Sequence, residues 1–111
     1  METKQITPPA VIHVHGRKWF DKVNGNTYHS ATVYVDGRKV HESGCVYGYG
    51  DHYLQTATEW LDRAGLLPGI EHYESGGTES LWRYCERSGI RFTYDVDQVT
   101  RKRDLDAKGA A

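Results

Sequence analysis

Between His13 and His41 the chain alternates residues that can bind a ligand with residues that can only pack. His13, His15, Arg17 and Trp19 occupy every second position, as do Tyr28, Ser30, Thr32 and Tyr34, followed by Lys39 and His41. The intervening positions hold Ile12, Val14, Phe20, Ala31, Val33, Val35 and Val40. Indole and phenol rings stack on bases, while cations and hydroxyls hold phosphates. Imidazole titrates near neutrality and serves as a general acid or base. Two histidines spaced as His-x-His on one strand can also chelate a transition metal beside a carboxylate. Arg17, Trp19, Tyr28, Tyr34, Lys39, His15, His29 and Tyr49 are the ligand-binding candidates. No catalytic residue is assigned, no metal ligand set is assigned, and no cofactor is expected.

The elements that position this face follow from turn chemistry. Asn24-Gly25 and Asp36-Gly37 are two-residue hairpin signals, because type I′ turns need φ > 0 at both central positions. They predict an antiparallel meander over residues 11–42. Taken literally, the first turn pairs Val23 with Asn26, Phe20 with His29, Gly16 with Val33 and Val14 with Val35. Asp36 then faces His13. The second pairs Val35 with Arg38 and Val33 with Val40, which leaves His41 on the face of His13 and His15. His29 points to the core side in this register and joins the ligand only at an open sheet edge. A slip by one residue would exchange the two faces.

Beyond the meander, Ser43 to Gly50 reads as a glycine-spaced connection. Gly48 and Gly50 allow close backbone approach, and Tyr47, Tyr49 and Tyr53 can wall a planar ligand. Asp51 is the expected N-cap of a helix reaching Ala64, with Leu54, Ala57, Leu61 and Ala64 on one stripe and Gly65 as its stop. A second helix is expected from a Thr78 cap to Gly89, with Leu81, Trp82 and Cys85 on its apolar side. Residues 90–99 alternate Ile90, Phe92, Tyr94 and Val96 against Arg91, Thr93, Asp95 and Asp97, as a strand with one buried face does. The expected fold class is α+β: an antiparallel three-stranded meander plus a C-terminal strand in one sheet, with two helices on one face. Residues 1–9 read as a flexible lead-in, 10–105 as one domain and 106–111 as a disordered tail.

Composition limits the partners. The 111 residues suffice for one modest core. Net charge is -1, with six Lys/Arg against four Asp/Glu over residues 1–50, one against five over 51–77, and seven against six over 78–111. That excludes the strongly basic footprint of a dedicated DNA binder and leaves room for a local patch. Arg101-Lys102-Arg103 can touch phosphates or remain a solvated tail. Mean hydropathy is -0.70, and no apolar run approaches the ~20 residues that span a bilayer. No secretory signal is visible, so a cytoplasmic location is the expectation. Cys45 and Cys85 form no C-x-x-C pair and read as buried or half-buried thiols.

Asn26-Thr27-Tyr28-His29, Tyr47-Gly48-Tyr49-Gly50-Asp51, Trp82-Arg83-Tyr84-Cys85 and Arg101-Lys102-Arg103-Asp104-Leu105 resemble a family of short bacteriophage and prophage proteins with no established activity. The resemblance runs from about residue 11 to 105. It implies a small accessory protein of the bacterial cytoplasm, acting during phage growth or lysogeny. Proteins of that kind bind host proteins, nucleic acid or nucleotide signals, and some counter host defence.

The leading expectation is a non-enzymatic binding module for a nucleotide or single-stranded nucleic acid on the basic-aromatic face. Two alternatives stand beside it. One is a protein-interaction module, either a homodimer or an inhibitor of a host defence protein, since Tyr, Trp and Arg are enriched at interfaces. The other is a phosphodiesterase or nuclease dependent on His13 and His15. An ordinary solvated sheet face would carry the same residue types.

Overall fold

The computed structural model describes residues 9–48, 50 and 52–105. Strands β1 (Val11–Asp21), β2 (Asn26–Val35), β3 (Arg38–Glu42) and β4 (Val46–Tyr47) precede helices α1 (His52–Arg63) and α2 (Leu81–Ser88). Strand β5 (Arg91–Val99) and a 3-10 turn (Lys102–Leu105) follow. The sheet order is β3-β2-β1-β5, with β4 also paired to β2. β1, β2, β3 and β4 run antiparallel in their pairs, while β5 lies parallel to β1, so the sheet is mixed and the class is α+β. No helix among the described residues is long and apolar enough to cross a membrane.

The first hairpin keeps the expected faces but not the expected register. Ile12 pairs with Val35, Val14 with Val33, Gly16 with Ala31 and Asp21 with Asn26, two residues away from the two-residue-turn pairing. The loop is four residues long because Asp21 organises it. One carboxylate oxygen accepts from the backbone N–H of Val23 and Asn24, and the other accepts from the Asn24 amide. Gly25 adopts φ 72° and donates to the Asp21 carbonyl, whereas Asn24 has no positive φ, so a type I′ turn does not form. A shift by two residues preserves the side on which each side chain lies. Asp36-Gly37 does form the expected turn, with φ 52° and 84°. Asp36 does not face His13: its carboxylate accepts from the backbone N–H of Ala10 and Val11.

A bulge alters the second hairpin. Val35 pairs with Arg38 and Tyr34 with Lys39, but Val33 then pairs with His41, so Val40 is the extra residue. The bulge turns His41 to the helix side, where its ring stacks on Trp60 at 4.5 Å and 7°. His41 therefore does not share the face of His13 and His15.

Ile12, Val14, Ala31 and Val33 meet Tyr53, Ala57 and Leu61 of α1 and Leu81, Tyr84 and Cys85 of α2 in one core. Gly16 is the contact point between layers. A Cβ there would stand 2.6 Å from Cγ of Tyr53, so only glycine lets the α1 ring sit on β1. The expected cap Asp51 lies outside the described residues. Gly65 ends α1 with φ 76°, and Leu66 N–H donates back to the Leu61 carbonyl. The N-cap of α2 is Ser80, not Thr78: its side chain accepts from Arg83 N–H, and Gly89 closes the helix at φ 74°. Trp82 is 62% exposed and lies outside the core, while Tyr84 fills the buried position and donates from its hydroxyl to the Pro68 carbonyl.

The segment before α2 is less of a solvated loop than its charge suggests. Glu79 is buried and takes two hydrogen bonds from Arg87, at 2.6 and 2.8 Å, and one from the Glu71 backbone. These hold its carboxyl down at about 2 against the cost of burial. Cys85 is buried and its thiol is pushed up to about 11 by burial alone. Cys45 is exposed, contrary to expectation, because it sits in the turn between β3 and β4.

Candidate functional site

Alternation along β1 and β2 directs Val11, His13, His15, Arg17, Trp19, Tyr28, Ser30, Thr32 and Tyr34 away from the helices. The parallel register adds Thr93 beside His13, Asp95 beside His15 and Asp97 beside Arg17. The sequence pattern placed Thr93, Asp95 and Asp97 on the polar side of their strand. It did not identify β1 as their neighbour.

The 3-10 turn rests on the middle of this face. Ser30 donates its hydroxyl proton to the Leu105 carbonyl, and Ser30, Thr32 and Leu105 are all buried. The face is therefore closed at its middle by the 3-10 turn. It divides into a histidine region and an aromatic region.

In the histidine region, Asp95 bridges two rings. One carboxylate oxygen lies 3.1 Å from His13 Nε2 and 2.8 Å from His15 Nδ1. His13 Nδ1 meets Thr93 Oγ1 at 2.7 Å, and His15 Nε2 lies 3.5 Å from Asp97. Burial raises Asp95, but the hydrogen bond and charge of His15 and the charge of His13 outweigh it and hold the carboxyl below its ordinary value. Every ring nitrogen of the pair thus faces a partner within the fold. General acid–base work on a bound ligand needs a nitrogen within hydrogen-bond reach of that ligand. A shallow depression of about 470 Å³ lies here, lined by Val11, His13, His15, Arg17, Tyr34 and Gly37. Among the described residues no group of three or more His, Cys, Asp or Glu side chains is arranged to hold a metal ion.

In the aromatic region, Trp19 and Tyr28 are cross-strand partners with rings 5.8 Å apart and 29° from parallel. Tyr47 of β4 meets Tyr28 edge-on at 5.6 Å and is 57% exposed. β4 exists because β2 extends past β3 and offers Tyr28 and His29 to Tyr47 and Val46. Lys102 of the 3-10 turn is close enough to act electrostatically on Asp21 at the end of β1. Arg17 stands between the two regions, and its Nη1 is shut off from solvent with no hydrogen-bond partner among the described residues. A buried donor without an acceptor costs about 1–3 kcal/mol.

The other candidates are placed differently. Tyr34 sits opposite His13, with ring centroids 5.9 Å apart. Lys39 pairs with Glu42 at 2.6 Å, so its charge is answered within β3, and that contact raises its pKa. His29 is on the helix side and buried. Its Nδ1 donates to the Gly48 carbonyl at 3.3 Å and its Nε2 meets Thr56 Oγ1 at 2.7 Å. Burial, with the nearby charges of His52 and Lys18, pushes its pKa down. His29 is thus a packed structural group and no part of the outer face. Tyr49 lies outside the described residues.

Comparison with known proteins adds no relationship: no protein-family model matches the chain, no curated protein matches it, and no solved structure matches it.

Proposed function

We propose that this protein is a small non-enzymatic binding module that holds a nucleotide or short single strand on the outer face of its sheet. The observation that carries the reading is the Trp19–Tyr28–Tyr47 aromatic array beside Arg17. A base stacks on the exposed Tyr47 ring and the half-exposed Trp19 and Tyr28 rings, and its phosphate approaches Arg17 and Lys102. Stacking contributes about 1–3 kcal/mol per base. The sequence resemblance supplies the setting that we propose, a bacterial cytoplasm during phage growth or lysogeny.

Fluorescence anisotropy of labelled oligo(dT), with ATP as a competitor, tests the reading at low salt. Trp19→Ala should weaken binding about 5- to 150-fold. Its stability cost should be at most about 1 kcal/mol, the scale of one cross-strand pair. Arg17→Met should also weaken binding and flatten its salt dependence. Oligonucleotide and ATP affinities that ignore both substitutions would sink the proposal.

A further inference from the structure

We propose that β5 is a dimerisation edge at which two copies of this chain pair antiparallel, with Tyr94 on the twofold axis. β5 ends the sheet order, and no strand among the described residues pairs with its outer side. Arg91 N–H donates inward to the Ala10 carbonyl. In a parallel ladder the bonding direction alternates, so Phe92, Tyr94, Val96 and Gln98 turn their backbone groups outward. Such an edge is a template for another strand. The β5 edge contains no proline.

The side chains choose the partner and the register. Centring the pair on Tyr94 aligns residues 91–97. Arg91 then faces Asp97 twice, Phe92 faces Val96 twice, and Thr93 faces Asp95 twice. Centring it on Asp95 puts two carboxylates on the axis and leaves Arg91 opposite Val99. Centring it on Val96 opposes Asp95 and Asp97 twice, while centring it on Thr93 sets Arg91 opposite Asp95, whose carboxylate already bridges His13 and His15, and shortens the ladder to residues 91–95. Opposite charges placed directly across strands stabilise a pair and like charges destabilise it, so the sequence is complementary to itself in the Tyr94 register.

The apolar side needs the same cover. Tyr94 is 54% exposed and Val96 39% exposed, although both lie on the helix side of the sheet. α2 packs near the start of β5, where Phe92 joins the core and stacks on Tyr94 at 5.4 Å. A second copy brings its own Tyr94 and Phe92 over these exposed positions. It also sets its Arg91 beside Asp97, which faces His15 at 3.5 Å. The two outer faces then continue into each other across the axis.

Sedimentation equilibrium on the full chain, from micromolar to hundreds of micromolar, tests the pairing. Wild type should pass from 12.6 kDa to twice that mass with rising concentration. R91E alone and D97R alone should each dimerise about 10- to 30-fold more weakly, since both pairs become repulsive. An equimolar mixture of the two variants should recover the dimer, because each substituted side chain then faces its opposite charge. Circular dichroism checks that each variant is folded. A wild type that remains at 12.6 kDa throughout overturns the proposal without need of variants. So does a dimer indifferent to both charge reversals.

Discussion

Glu79→Gln offers the most direct test of how the segment between the helices is held. The Glu79 side chain is fully buried, and Arg87 grips both its oxygens while reaching the Gly69 carbonyl with the same guanidinium. Its carboxyl is held at about 2 against an ordinary 4.5. A depression of that size corresponds to about 3 kcal/mol of stability linked to ionisation. Gln keeps the shape and part of the hydrogen bonding, so the expected loss at neutral pH is about 2–3 kcal/mol. That is a large share of the roughly 5–15 kcal/mol of a small domain. Because the folded pKa lies below the unfolded one, the stabilisation is complete above pH 4.5 and disappears as pH falls through about 2. Urea denaturation followed by circular dichroism at neutral pH and at several acid values measures the gap between wild type and E79Q. The gap should be wide at neutral pH and close towards pH 2. A neutral-pH gap below about 0.5 kcal/mol, or one unchanged in acid, would refute the argument that ionised Glu79 anchors α2 to the loop before it.

Two further predictions concern the sheet and its cover. Gly16→Ala should cost about 1–3 kcal/mol in chemical denaturation, because the added methyl meets the buried Tyr53 ring; an unchanged midpoint would show that α1 does not sit on that glycine. His29 is held neutral by burial, so the unfolded chain takes up a proton near pH 6.5 that the folded chain refuses until lower pH. Stability should therefore fall as pH drops below 6.5, and His29→Gln should flatten that part of the pH–stability profile. An identical acid slope in wild type and variant would count against His29 as its source.

The alternation of binding and packing residues along β1 and β2 determined by itself which side of the sheet each side chain takes, although Phe20, expected to pack, is 51% exposed and lies outside the core. The face of Arg17, Trp19, Tyr28 and Tyr34 survived a two-residue change of register because strand periodicity is two. The helical stripe of Leu54, Ala57 and Leu61, with its Gly65 stop, was likewise local information. Tertiary structure decided what a local pattern cannot carry. The Asp21 carboxylate lengthened the first turn, and the Val40 bulge took His41 to Trp60. Pairing β5 with β1 brought Asp95 between His13 and His15, and folding the 3-10 turn back covered Ser30 and Thr32. Each of these joins residues distant along the chain. Periodicity tells which way a side chain points, and only long-range packing tells what it meets there.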